Sequence, residues 1–418
     1  MMEATTTVGP KYKYLVLFAL FLAWILGGID RTVISFAAIP ITKEFNLDPV
    51  DVGQIFSIFF LGYMLLQIPG GFLADKYGPK KVLLTIVFVW SIFTAATGLV
   101  GGLTSMLAIR FLFGAAEAPF SAAAALTIGQ IFEAKDRGKA MSLYLSSSGF
   151  VMVFAPIIAA HLIDSMGWRN LFFILGACGV GIIVTFYYTF KGSKLQAARE
   201  LVTGTVQQTG ATKTAKAETP LSAVLKIPLV WWLMLAYFAT YTLMWGLGNW
   251  MPTYLVQTFN VNIKQAGTLQ AIPGFGSLAG FVVSGFIIDA LSDKQNKIIA
   301  VAVSVISTVA LYILYLGQMT VTGVIIIQTV VNFAVGFVGI FIPALILKKL
   351  PVDFAGRITG IGLFCAYLGS TIAPTVMGAI TKASGGNLAT SFIYIFAAGV
   401  AMTLSMVFMK TSVEKNHN

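Results

Sequence analysis

Charge is what this sequence has least of. Of its 418 residues, 10% are charged and 57% are hydrophobic, whereas soluble domains carry about 25% charged residues. So little charge excludes an ordinary water-facing surface, and the apolar excess is more than a core needs. Cysteine is scarce too. The chain has 2 Cys, Cys178 and Cys365, both in apolar stretches, so a disulfide framework is not expected. Its 2 His are His161, near the end of an apolar stretch, and His417, in the tail. Neither has metal-ligand neighbours, so no metal site and no cofactor is expected. No Walker loop is present to support ATP drive. Gly274 to Gly280, GFGSLAG, follows no strand and has the wrong spacing for a dinucleotide loop. It reads as close-packing glycine in a membrane helix.

What is present in abundance is Phe (33) and Gly (41), and Gly is frequent in membrane helices. Crossing a bilayer takes about 20 apolar residues. Twelve such spans can be drawn, at roughly 14–40, 52–74, 80–101, 104–131, 140–165, 168–190, 229–257, 266–290, 298–317, 320–347, 358–381 and 389–410. The first span is too long for a signal-peptide core, and no small-residue cleavage site follows it. The one long polar segment, 191–228, divides the spans six and six. The expected fold is therefore all-α and membrane-embedded. Its expected units are a first bundle at 1–190, a linker at 191–228 and a second bundle at 229–418.

The net charge of +11 is a matter of placement. Of 27 Lys and Arg, Arg31 and Arg110 lie within spans; Lys43, Arg169, Lys264 and Lys382 follow odd-numbered spans. All the others sit at the termini or after even-numbered spans. The positive-inside rule then puts both termini and the linker in the cytoplasm, with the chain multi-pass in the cell membrane. The basic excess is a topology signal with some attraction to anionic membrane lipid, and no nucleic-acid partner is expected.

The halves repeat. Glu44-Phe45-Asn46 matches Thr258-Phe259-Asn260, and Gly71-Phe72-Leu73-Ala74-Asp75 matches Gly285-Phe286-Ile287-Ile288-Asp289, both at an offset of 214 residues. Ala155-Pro156 and Ala373-Pro374 repeat at a similar offset. Six spans per half in preserved orientation is the parallel-repeat architecture of many secondary transporters, whose site lies near the midplane between the halves.

Four ionisable residues lie inside spans: Asp30, Arg31, Arg110 and Glu117, all in the first half. At the 214-residue offset Asp30 and Arg31 face Met244 and Trp245. An intramembrane charge is expensive, so its default reading is functional; the bland alternative is a structural ion pair. Asp30 and Arg31 are adjacent and point about 100° apart on a helix, so each needs its own environment. Arg110 and Glu117 are stacked on one face, separated by about 10.5 Å of rise, and could bracket a partner on the first span.

The loop Gly71 to Lys81, GFLADKYGPKK, resembles the signature loop of the major facilitator superfamily, with Pro79 replacing one basic residue. Gly71 and Gly78 allow a tight turn, and Asp75 can cap or pair with neighbouring helix ends. Gly71, Asp75, Gly78 and Lys81 are read as a conformational latch. Asp30-Arg31, then Arg110-x-x-x-Gly114-x-x-Glu117-Ala118-Pro119-Phe120, resembles the anion:cation symporter family within that superfamily. Phe56 to Gly71 and Trp250-x-Pro252-x-Tyr254 are similar to it as well. The family includes bacterial sugar-acid permeases, sialin and the vesicular glutamate transporters.

The resemblance implies roles. Arg31 would bind a substrate carboxylate, Asp30 and Glu117 would carry the coupling proton, Arg110 would tune Glu117, and Tyr63 would line the cavity. Three departures stand out. Gly28 stands where sugar-acid members carry Tyr, Ser146-Ser147-Ser148 where they often offer Gln, and Leu363 where they often have Asn. Fewer groups to grip hydroxyls suggest a smaller, or flatter and more apolar, carboxylate. Ser148 is the remaining polar candidate on the fifth span. On the second-half wall the candidates are Tyr241, Trp245, Tyr367, Asn249, Asn332 and Ser370, each with ordinary helix packing as its bland alternative.

The four buried charges sum to zero, and adding a monoanion leaves the site one negative charge in excess. Proton uptake would relieve that. The expectation is a monomeric transporter, not an enzyme, that takes up an organic anion with protons by alternating access. Two alternatives stay open. One is proton-driven efflux of an amphipathic compound, disfavoured because Ala155-Pro156-x-x-Ala159-Ala160 has Ala where the similar antiporter motif has Gly. The other, more remote, is a membrane-embedded enzyme or sensor, for which a nucleophile–base pair and a soluble catalytic domain are missing.

Overall fold

A computed structural model describes residues 11–190, 226–349 and 352–409. The tails and nearly all of the expected linker lie outside the described residues. The described residues form helices and no strand. The helices are α1 (Lys11–Phe45), α2 (Pro49–Tyr77), α3 (Pro79–Thr97), α4 (Leu103–Glu117), α5 (Phe120–Ile131), α6 (Ala134–Thr189), α7 (Pro228–Thr242), α8 (Gly248–Phe259), α9 (Ile263–Ala290), α10 (Asp293–Tyr315), α11 (Val321–Lys349), α12 (Val352–Ala383) and α13 (Phe392–Phe408).

Among the described residues, 11 helical stretches are long and apolar enough to cross a membrane. The expected twelfth span is hidden in α6. Its 56 residues would run about 84 Å as a straight helix, roughly twice a bilayer. The chain reverses instead at Gly167, at φ 81° and ψ 161°, a backbone shape that favours glycine. Two other spans are built from pieces. Pro119 separates α4 from α5 within one span, and a π-helical turn, Leu243–Leu247, joins α7 to α8 within another. Large apolar side chains such as Phe286 and Leu347 stay exposed on the outside of the bundle, a surface suited to hydrocarbon.

The internal repeat is a repeat of backbone. Asn46 and Asn260 are the two non-glycine residues with positive φ among the described residues, at 51° and 52°. Each turns the chain out of a helix, and each is followed by a capping box. Asp48 and Asp51 cap α2 reciprocally, and Asn262 and Gln265 cap α9 in the same way.

The halves pack along two seams, α2 against α12 and α6 against α9. Glycines let the backbones approach. Gly53 faces the Pro374 carbonyl, Gly378 faces that of Pro49, and Gly274 faces that of Met152. Thr375 donates to Ser57 across the first seam at 2.8 Å. At the far end Lys382 meets Asp48 at 2.7 Å. Contacts thus run from the middle of the bundle to the Asp48 end.

Candidate functional site

The four intramembrane charges converge. Asp30 and Arg31 do point apart, as adjacent helical residues must. Arg31 takes Glu117 in a two-pronged pair, donating from Nη2 to Oε1 at 2.6 Å and from Nε to Oε2 at 3.2 Å. The Glu117 side chain is 1% exposed and that of Arg31 10%, so this pair has little water to screen it. The close fit depends on Gly27, where any side chain would collide with the Glu117 carboxylate. Asp30 turns the other way and accepts from Thr94 on α3 at 3.1 Å. Arg110 is buried behind them, 5.1 Å from the ring centres of both Phe59 and Phe113. It lies within electrostatic reach of both Asp30 and Glu117. Asp30 Oδ1 and Arg110 Nε have no hydrogen-bond partner among the described residues.

Arg31 opens onto a cavity between the halves, with about 950 Å³ of empty space when its open mouth is included. Five helical stripes line it. Trp24, Gly28, Arg31 and Ser35 come from α1; Ser148, Met152 and Pro156 from α6. Trp245, Asn249 and Pro252 come from the π turn and α8; Gln270, Gly274 and Ser277 from α9; Gln328, Asn332 and Val335 from α11. Most spacings are three or four residues, the period of one helix face. Arg31 is the one charged residue among those lining the cavity. Its guanidinium lies 4.8 Å from the Trp24 ring centre, and Trp24 donates to Ser148 at 2.8 Å. A cationic, aromatic-flanked corner therefore faces a neutral wall.

The profile of the Major Facilitator Superfamily matches residues 20–374. The chain belongs to the Major Facilitator Superfamily. The chain is 27% identical to the probable L-galactonate transporter of Escherichia coli (strain K12), over 86% of this chain and 81% of that one. It is 25% identical to the probable galactarate/D-glucarate transporter of Bacillus subtilis (strain 168), over 99% and 95%. With the probable sulfoacetate transporter of Cupriavidus necator it shares 26% identity, over 90% and 89%. These relatives agree with the resemblance to anion:cation symporters. A crystal structure of a D-xylose–proton symporter shares the fold, with TM-score 0.76 at 16% identity over 95% of this chain and 97% of that one. The protein is a multi-pass membrane transporter.

In this facilitator the expected substrate residues divide into two groups. Arg31, Ser148, Trp245, Asn249 and Asn332 line the cavity; Tyr63, Tyr241, Tyr367 and Ser370 are not among its lining residues. Tyr63, expected to line it, is 1% exposed. Its ring lies under Arg31 at 5.4 Å and against Tyr367 at 4.6 Å, and its hydroxyl meets Ser121 at 3.2 Å. Tyr241 extends the stack, 5.7 Å from Tyr367. Ser370 is fully buried and donates to the Ala366 carbonyl of its own helix at 3.1 Å. These aromatics join the halves beside Arg31 and brace it.

Gly28 does face the cavity, and a side chain there would meet Val151 at 2.6 Å. The second half lines the same cavity with Asn249, Gln270, Ser277, Gln328 and Asn332. Trp24, Gln270, Ser277 and Gln328 were not singled out from the sequence. Their signal was available in the helical stripes, and in two Gln within otherwise apolar spans.

The residues read as a latch lie at the turn between α2 and α3. Gly78, at φ 79° and ψ 146°, makes the turn between α2 and α3 that its glycine suggested. Asp75 is exposed, and its carboxylate has no bonded partner among the described residues. Lys81 lies over the Tyr77 ring at 5.6 Å.

Proposed function

We propose that the protein is a proton-coupled symporter that brings an organic anion into the cell, with Arg31 as the anion site and Glu117 and Asp30 as proton carriers. The pairing of Arg31 with Glu117 at the cavity wall carries this reading. An incoming carboxylate and Glu117 compete for the same guanidinium. With both ionised, the corner holds two anions against one cation, which is costly in a medium of low dielectric constant. Protonation of Glu117 frees the Arg31 fork for the substrate, and a two-pronged Arg–carboxylate bond is the strong form of that contact. Proton and anion then travel together. Asp30, with an unpartnered oxygen beside Arg110, is the second place where a proton is held.

In this reading the termini are cytoplasmic, so the Asp48 end faces outward and the Gly78 end faces inward. Residues 1–190 and 229–418 rock about the seams to alternate access. The names of the relatives support an anionic substrate.

Uptake into proteoliposomes under an imposed pH gradient tests the coupling. Uptake of galactonate should rise with an inward proton gradient. Glu117→Gln should retain exchange but lose the gradient response, and Asp30→Asn should reduce it. Uptake indifferent to the gradient, or unaffected in both variants, overturns the coupling.

A further inference from the structure

We propose that a recess between α1 and α8 at the Asp48 end is a second anion-binding site, in which Lys43 holds a carboxylate on its way to Arg31, about 18 Å along the same helix. This adds a site to the proposed function and rests on that reading for the anion and its direction of travel. The recess has about 770 Å³ of empty space when its open mouth is included. Ile39, Thr42 and Lys43 line it from α1, and Thr253, Val256 and Gln257 from α8. Lys43 is the one charged residue among those lining it, with neutral polar groups beside it. Of the basic residues that follow odd-numbered spans, Arg169 is held by Glu44 and Lys382 by Asp48. Lys43 has no ion-pair partner among the described residues. The recess therefore presents a positive charge with no carboxylate to cancel it, which favours an anion.

The recess adjoins the central cavity. On α1, Ser35 and Phe36 line the cavity and Ile39 the recess, at the spacing of one helix face. On α8 the two spaces meet between consecutive residues, with Pro252 on the cavity and Thr253 on the recess. The partition is thus about one helical turn thick. It is also easy to deform. Pro252 has no N–H for the helix ladder, and the π turn Leu243–Leu247 directly precedes α8. Two buried polar groups flank the partition unpaired. Thr253 is 8% exposed, and its Oγ1 has no hydrogen-bond partner among the described residues. Thr371 and Thr381, by contrast, each donate to the carbonyl one turn back in their own helix. Asn249, one turn before Thr253 on the same face, lines the cavity and is 3% exposed, and its Nδ2 is also without a partner among the described residues. Unpaired buried groups are unfavourable. Both can donate to an anion, and an anion passing from Lys43 to Arg31 would meet them in turn.

The competing explanation is a surface crevice with a solvated lysine. The test is the rate at which a neutral maleimide labels Gln257→Cys in the full chain in nanodiscs, with Cys178→Ser and Cys365→Ser, and with galactonate as the probe anion. Galactonate should slow the labelling. It should do so equally in Arg31→Ala/Glu117→Gln, which lacks the central anion site. Lys43→Gln should remove the protection in both backgrounds, and Lys43→Arg should keep it. Thr42→Cys is a second reporter should Gln257→Cys not fold. In proteoliposomes Lys43→Gln should raise the KM for galactonate roughly two- to fivefold at unchanged kcat, as expected for one exposed charge pair. That difference should fade as salt is raised. Protection absent in both backgrounds, protection that needs Arg31, or protection indifferent to Lys43→Gln overturns the inference, and an unmoved KM takes the recess off the route. Uptake without protection overturns the recess site alone. Protection without uptake overturns the symport reading alone.

Discussion

The two halves of this transporter repeat their backbone but not their chemistry. Both leave a helix through a left-handed Asn, Asn46 and Asn260, and both begin the next with a reciprocal capping box. The membrane interior is divided differently. At the matching positions of the second half, Met244 and Trp245 stand for Asp30 and Arg31 at an offset of 214 residues, and Gln328 and Val335 stand for Arg110 and Glu117 at 218, the offset between the starts of α4 and α11. In the other direction Gln270 stands where the first half has Phe56. Gly114 packs against the Phe59 carbonyl with no room for a side chain, so α2 and α4 touch backbone to backbone. α9 and α11 touch in the same way, with Gly276 and Gly280 facing the Thr329 and Phe333 carbonyls. Turn and capping signals are local and can be duplicated at little cost. An intramembrane charge needs a partner within bonding distance, so the four charges occur as a set in one half.

The largest effect that separates the halves is expected at Arg31. Arg31→Ala should abolish anion binding and, by leaving Glu117 buried without its cation, destabilise the fold by about 3–5 kcal/mol. Adding Glu117→Gln should recover stability in thermal unfolding without recovering binding. Should the double variant remain as unstable as the single one, the stabilising role of the pair is wrong. A middle-sized effect tests the neutral half. Val331→Glu buries a carboxylate in α11 without a cation beside it, and should destabilise by about 2–4 kcal/mol on insertion scales. Unchanged unfolding would mean that the second half holds an unseen compensating group.

The smallest effect concerns the seam. Asp48→Asn keeps a competent α2 cap but removes the charge opposite Lys382. The hydrogen bond from Lys382 holds the Asp48 carboxyl below its ordinary value. The contact is therefore complete above the ordinary carboxylate range and is lost as pH falls through the lowered value. Both groups are substantially exposed, so the change is small. Distance measurements across the Asp48 end should show slightly more separation in Asp48→Asn, and in wild type under acid. An identical distance distribution would remove this pair from the closure.

Much of the site was legible because rarity in an apolar background is itself a signal. Asp30, Arg31, Arg110 and Glu117 stood out as the charges within the spans. The residues that pack beside them did not. Tyr63 and Trp245 are aromatics in spans that contain many. Only their neighbours decide that Tyr63 is spent on Ser121, Tyr367 and the underside of Arg31, while Trp245 reaches the cavity. Arg110 and Glu117 were placed on one face of α4 by spacing alone. That Glu117 takes Arg31 while Asp30 turns to Thr94 depends on how α1, α3 and α4 are rotated against one another.

By itself the sequence determined that the chain is a twelve-span bundle of two repeated halves with a charge cluster in the first. These follow from the length of apolar runs, the placement of basic residues and a fixed offset between motifs, all readable along one dimension. The tertiary structure decided which polar groups share a cavity. Gln270, Gln328 and Asn249 lie far apart in the chain and face Arg31 across the interface between the halves. A helix pattern shows which residues share a face; only packing decides what that face opposes.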